Sequence, residues 1–272
     1  MRYIFTKSLL IFLFLFHADI KGDSFQYNTY NNHGVLGLIN MPTARFYDEA
    51  VHGVTIYDGT PDQKITLTSS PYNWLEASFF YTNIQGVPYP GFEYQDYKDK
   101  GFNFKLRIKD QGDFPAIAIG IMDIAGTGYY SSEYIVSSYG INNIDIHYGI
   151  GWGTMNGSKD NIKNPLGYLN NSFRVRPVGY KGQGGQFEPS RYFSGLKASP
   201  FYGASYALNE KTIIKIERDT TLTTGLMPYD KSKSDFSVGI DYSINENFVA
   251  SLSYERGNFT SLRFVYKNNP KT

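Results

Sequence analysis

Apolar and polar residues alternate one for one along most of the chain, the pattern of strands with one face in an apolar medium and the other in a polar one. In the segment 144–152, Ile144, Ile146, Tyr148, Ile150 and Trp152 stand on one side, and Asp145, His147, Gly149 and Gly151 on the other. Successive side chains of a strand point to opposite faces, so this ribbon is apolar and aromatic on one side and polar or bare on the other. Phe102, Phe104, Leu106 and Ile108 repeat the pattern against Asn103, Lys105, Arg107 and Lys109. A cationic row cannot face lipid, where each Lys or Arg at the bilayer midplane costs about 2–4 kcal/mol. The odd-numbered side of this strand is therefore predicted to point into a polar interior.

The same alternation recurs at short intervals. Val54 and Ile56 alternate with Thr55 and Tyr57, and Ile65 and Leu67 with Lys64, Thr66 and Thr68. Leu75, Ala77, Phe79 and Tyr81 oppose Trp74, Glu76, Ser78 and Thr82, with Phe80 breaking the polar row. Further strands fall at 114–123 and 129–139, then at 202–208, 214–217, 236–242 and 250–255. The last has Leu262, Phe264 and Tyr266 against Ser261, Arg263 and Lys267. Gaps near 70–73, 110–113, 140–143, 209–211 and 244–247 read as tight turns; 83–98, 154–198 and 220–234 read as long loops, with a strand-like pattern only at 172–176.

Bacterial barrels keep short turns and both termini in the periplasm and long loops outside. Placing every tight turn on one side gives an all-β fold, an antiparallel transmembrane β-barrel of about 12 strands over residues 51–268, with 256–258 a very short external loop. About 14 strands is the alternative, which moves 83–98 to the periplasm. A β-sandwich competes, but it does not need a lipid-like face on nearly every strand.

The amino terminus departs from the pattern. Arg2 and Lys7 precede the apolar run LLIFLFLF, the order of a secretory signal peptide, expected over 1–18 with cleavage as late as residue 24. Residues 19–50 are expected to form a periplasmic leader. Within it, 34–45, GVLGLINMPTAR, is an apolar run ended by Pro42, read as either a first strand or a segment tucked inward near the periplasmic rim.

Composition narrows the class. Aromatics reach 17% while mean hydropathy is only −0.36, which suits strands apolar on one face and disfavours a helical membrane protein. With no cysteine the chain has no disulfide, thiol nucleophile or lipobox. Removing Arg2 and Lys7 from the 26 basic residues leaves 24 against 25 acidic ones, so charge gives no reason to expect nucleic acid.

Candidate chemistry lies on the inward faces. The lumen-facing set is Lys105, Arg107, Lys109, Asp145, His147, Lys215, Glu217, Asp241 and Arg263. Opposed charges across a narrow lumen either form salt-bridged struts that close it or line a path for polar solutes; the struts are favoured, which makes a scaffold. Asp145 and His147 share a face and could act as an acid–base pair, although a lumen hydrogen-bond network is the simpler reading. Ser131 and Ser132 with His147 make only a forced hydrolase triad. Neither GTG at 126–128 nor GIGWG at 149–153 has the lysine and helix of a phosphate loop, so these glycines are read as making bends and lumen space. Tyr129, Tyr130, Trp152, Tyr242 and Tyr254 are read as interfacial girdle residues. No His pair sits at i and i+4 on a plausible helix, and Asp58 and Asp62 are a lone pair of carboxylates. No catalytic residue, metal or cofactor is therefore expected, with calcium in an external loop left open.

Several ordered motifs add a resemblance. GLINMPTAR (37–45), Met122 and Asp123 before GTGYYSSEYIVSS (126–138), GIGWG (149–153) and Asn164–Pro165 together resemble the YjbH family of exopolysaccharide-linked outer-membrane proteins, over roughly residues 34–176. The resemblance implies a barrel associated with making or exporting an extracellular polysaccharide, and carries over no catalytic residue. The family's members are often lipoproteins, much longer and with two barrel-like halves, so by that resemblance this chain reads as a short single-barrel form. The resulting expectation is a non-enzymatic outer-membrane barrel assisting exopolysaccharide production or export. Its expected partners are outer-membrane lipid, polysaccharide, envelope polysaccharide-export proteins and the barrel-assembly machinery, which reads the aromatic Tyr266 in the last strand. A small-solute porin is the alternative, and a lipid-modifying enzyme stands third.

Overall fold

The computed structural model describes residues 29–60, 62–89, 91–178, 184–185, 187–222 and 232–271. The expected signal peptide lies outside the described residues. Two short strands, β1 (Thr29–Tyr30) and β2 (Leu36–Gly37), pair with each other. The barrel follows as β3 (His52–Asp58), β4 (Asp62–Tyr72), β5 (Leu75–Tyr89), β6 (Phe92–Lys109), β7 (Ala116–Ile124), β8 (Ser132–Ile141) and β9 (Ile144–Gly153). A two-residue strand, β10 (Ile162–Lys163), sits in the long loop. Then come β11 (Lys197–Asn209), β12 (Thr212–Arg218), β13 (Phe236–Ser243), β14 (Phe248–Glu255) and β15 (Phe259–Asn268).

Each barrel strand pairs antiparallel with the next, β9 pairs with β11, and β15 returns to pair with β3, which closes the sheet. The closed sheet is a 12-strand barrel with β10 appended to β11. Closure matters because an open edge in lipid would leave backbone groups without partners. Outward positions carry Ile56, Leu67, Phe104, Ile146, Ile216, Ile240, Leu252 and Phe264, all exposed, as a lipid-facing surface must be.

Two intervals differ from expectation. Residues 83–98, expected as a long loop, are a hairpin ladder in which Asn83 faces Lys98 and Ile84 faces Tyr97. The interval lacks an apolar outer row, so its strand character is invisible to a search for lipid-facing alternation. Residues 172–176, expected to be strand-like, are not a strand: Asn171–Arg174 form a 3-10 turn capped by the Asn170 side chain, which accepts from Ser172 N, and 175–176 have no regular structure.

The interior is not hollow. The chain from Thr29 to Ala44 is buried throughout except for partly exposed Asn40, and packs against the inner wall. Tyr30 and Leu36 cluster with Val249 and Val265, while Met41 and Ala44 cluster with Ala118, Met122, Tyr134 and Phe201. Wall glycines make the room. A Cβ on Gly203 would meet Leu38 Cδ1, one on Gly239 would meet Ile39, and one on Gly53 would collide with the Tyr30 ring.

Candidate functional site in the barrel interior

The apolar run of 34–45 lies inside the barrel, and the wall's charged residues hold it mainly by its backbone. Glu217, on the inner face of β12, accepts from three consecutive amides: Ile39 N at 2.9 Å and Met41 N at 3.1 Å on Oε2, and Asn40 N at 2.8 Å on Oε1. Lys215, two residues away on the same face, donates to Gly37 O at 2.9 Å and Leu38 O at 3.0 Å, and pairs with Asp241 at 2.7 Å. Arg263 pairs with the other oxygen of Asp241 at 2.8 Å and donates to Asn32 Oδ1 at 2.8 Å.

Across the barrel, Lys105 donates to Leu36 O and Arg45 O and pairs with Glu76 at 3.1 Å, while Glu76 accepts from Leu36 N. Buried backbone groups without partners are costly, and a turn-rich segment cannot satisfy its own. The wall charges supply what a further β-ladder would otherwise supply.

The remaining predicted residues fall in two places. Asp145 is gripped by Arg45, with Nε at 2.8 Å from Oδ2 and Nη2 at 2.6 Å from Oδ1. His147 Nδ1 lies 2.8 Å from Ser138 Oγ, which accepts from Ala44 N. His147 Nε2 is 3.8 Å from Asp145 and has no hydrogen-bond partner, so Asp145 serves Arg45 rather than an acid–base pair. Ser132 faces Gly153 on the ladder whereas Ser138 faces His147, which puts Ser131 and Ser132 about 20 Å from the imidazole. Arg107 and Lys109 sit instead at the rim where the tight turns lie: Arg107 pairs with Asp110, and Lys109 is exposed with Nζ 4.5 Å from the Phe114 ring centre.

At the opposite, long-loop end, Lys64 Nζ lies 3.0 Å from His33 Nδ1, 3.1 Å from Asp62 and 4.2 Å above the Tyr130 ring. Burial, and then the charge of Lys64, push the His33 imidazole down to about 3, so it is neutral and Nδ1 accepts. Glu255 accepts from Asn32 at 2.9 Å and Asn40 at 2.8 Å, and Asn40 also donates to Asp219 at 3.0 Å. Arg45, Glu76, Asp62, Lys64, Glu255, Asn32 and Asn40 thus join a site that did not include them at the level of sequence. Glu76 and Glu255 could have been added from their place on the polar rows; the asparagines carry no such signal.

The girdle reading is revised in part. Tyr242 and Tyr254 face outward and are exposed, but Tyr130 is buried at the mouth, and Tyr129 packs on Tyr97. Trp152 is buried beneath the long loop between β9 and β11, edge-on to Phe193 at 5.3 Å. Beside it, Glu133 is buried and held by Arg176 of that loop at 2.7 and 2.9 Å.

Among the described residues no group of three or more His, Cys, Asp or Glu side chains is placed to hold a metal. No described helix is long and apolar enough to cross a membrane.

A family model described as "Exopolysaccharide biosynthesis protein YbjH", for the YjbH family, matches residues 29–272. A protein of Escherichia coli (strain K12) named "Uncharacterized lipoprotein YjbH" is 32% identical over 256 residues, which cover 88% of this chain and 36% of that relative. The chain thus spans about a third of the relative's length. Among solved structures, the KdgM porin aligns over 80% of this chain and 97% of its own at 8% identity and a TM-score of 0.43. The NanC porin aligns over 80% and 98% at 9% identity and 0.38.

Proposed function

The chain belongs to the YjbH family of exopolysaccharide biosynthesis proteins, and on that premise we propose that it is a non-enzymatic outer-membrane barrel assisting exopolysaccharide production or export as a closed scaffold. One observation carries this reading: the lumen is occupied by the segment from Thr29 to Arg45, whose backbone is bound by Glu217, Lys215, Lys105 and Glu76. Charged residues that would line a solute path in a porin are here spent on holding polypeptide. The lipid-facing belt supports a place in the outer membrane, and lipid is then its first partner. Polysaccharide, envelope export proteins and the assembly machinery are the further partners this reading requires.

A catalytic role is disfavoured by the same contacts. Arg45 occupies Asp145, and Ser138 Oγ is committed to His147 and the Ala44 amide. His147→Ala is therefore expected to leave outer-membrane lipid composition unchanged. The test of the main reading is deletion of the gene with measurement of surface polysaccharide. A fall in amount or a change in composition, restored by the gene supplied in trans, is expected; unchanged polysaccharide overturns the reading.

A further inference from the structure

β5 and β6 outrun the rest of the sheet. The last ladder pair of β5 with β4 is Ile84–Asp62, and β6 first meets β7 at Phe102. Beyond Ile84 and Tyr97 the two strands continue to a Tyr89–Phe92 pair, as a ribbon that no other described strand flanks. Its tip stands about 25 Å past Tyr81, where the apolar outer row of β5 ends. Past that row the outward side chains are polar and bonded to one another. Lys98 Nζ donates to Asn83 Oδ1 at 2.9 Å, and Asn83 Nδ2 donates to Asp96 Oδ2 at 3.3 Å. The ribbon therefore rises out of the bilayer, at the end away from the tight turns.

Its opposite face carries aromatic rings. Tyr97 continues the inward row of Asn103, Gly101 and Asp99, and Tyr89 stacks on it with ring centres 5.6 Å apart. Phe92, opposite Tyr89 on the ladder, lies 6.3 Å from Tyr89, and Tyr129 of the β7–β8 connection lies 4.8 Å from Tyr97. Four rings thus run from the tip down to the barrel mouth. Tyr97 is buried and serves to hold the ribbon down, whereas Tyr89 is 39% and Phe92 65% exposed, and neighbouring Tyr94 is fully exposed. Large apolar surface placed in water at the end of a projecting ribbon marks a contact surface.

Lipid does not fit this position, because the Lys98–Asn83–Asp96 network separates the tip from the apolar belt and the ring row faces the barrel axis. A carbohydrate chain fits it. One face of a pyranose ring is a patch of C–H groups that settles on the electron-rich face of an aromatic side chain, while its rim of hydroxyls needs polar partners. Glu93 and Gln95 stand exposed beside the rings and supply them. With the lumen filled by the amino-terminal segment, the outer end is where a polysaccharide can engage this barrel.

We propose that the tip of the β5–β6 hairpin, through Tyr89, Phe92 and Tyr94, is a docking platform for a polysaccharide chain held across the outside of the closed barrel; this rests on the exopolysaccharide role proposed above.

The test measures binding of the full chain, in detergent micelles, to exopolysaccharide purified from the producing cells, by retardation in native gels cast with increasing amounts of it. Retardation of the parent chain is expected, and it should hardly change with salt, since stacking rather than charge carries it. Phe92→Ala with Tyr94→Ala is expected to weaken binding about tenfold. Trp74→Ala, which removes an exposed aromatic at the tight-turn end, should leave it unchanged. Heat-modifiable migration confirms that each variant is folded, and Tyr89→Ala serves as a further single variant. A parent chain that is not retarded, or tip variants retarded as strongly as the parent, overturns the platform. The scaffold reading then still stands if gene deletion lowers surface polysaccharide, and falls separately if it does not. Tip variants that lose binding to lipopolysaccharide vesicles but not to the polysaccharide would assign the rings to lipid and also overturn the proposal.

Discussion

Two pieces of chain that are not barrel strands are fastened to the wall, and a buried glutamate takes part in each attachment. Inside, Glu217 binds three successive backbone amides of the amino-terminal segment. Outside, Glu133 binds the guanidinium of Arg176 and the amide of Phe193 in the long loop. At the inner contact Glu217 is buried and only Asn40 is partly exposed, whereas the Arg176 side chain keeps 19% of its surface exposed. A buried carboxylate serving main-chain amides fixes a conformation, and its loss strands several donors at once. A carboxylate serving mainly a partly exposed arginine fixes only a position, and solvent compensates part of its loss.

The contrast can be broken by substitution, with the largest effect inside. Glu217→Ala is expected to cost about 3–5 kcal/mol, because it leaves the buried amides of Ile39 and Met41, and the half-buried one of Asn40, unpaired. Limited trypsin digestion of the folded protein should then cut after Arg45, where the parent resists; equal resistance would separate Glu217 from retention of the segment. Gly203→Leu tests packing at the same wall, where a Cβ would also press on the Ile216 carbonyl and Glu217 Cα. The new side chain would meet Leu38, and overpacking of this kind costs about 1–3 kcal/mol, read as a lower urea midpoint for loss of the folded, fast-migrating band.

At the outer contact, Arg176→Ala is expected to cost about 1–2 kcal/mol, since Glu133 loses its main partner but can gain water once the loop lifts. Protease cleavage should appear in the 154–196 loop with the barrel midpoint nearly unmoved; a shift as large as that of Glu217→Ala would erase the distinction. Lys109→Ala, at an exposed rim position, is expected to stay within about 0.5 kcal/mol of the parent.

This comparison also explains what could be read from the sequence. Strand alternation is a direct record of lipid on one side, so the antiparallel barrel and its short turns were legible wherever the outer row is apolar. The record ends where strands leave the membrane, hence the misreading of 83–98. It also ends where a loop covers the wall, hence Trp152 as a girdle residue. Glu217, Lys215 and Lys105 could be assigned to the interior from their neighbours, but not their partners. A charge that binds backbone, as Glu217 does, has no complementary side chain elsewhere in the chain to reveal that contact. For the same reason GVLGLINMPTAR stayed ambiguous between strand and inward segment, since an apolar run broken by Gly34, Gly37 and Pro42 reads alike in both settings.

The central claim is that this segment closes the lumen. Conductance of the purified full chain in planar bilayers tests it most directly, with a variant lacking residues 29–47 run in parallel and confirmed as folded by heat-modifiable migration. The full chain is expected to insert without conductance steps, and the shortened barrel to give discrete, stable ones. Porin-like steps from the full chain, of the same size as those of the shortened barrel, would contradict the account.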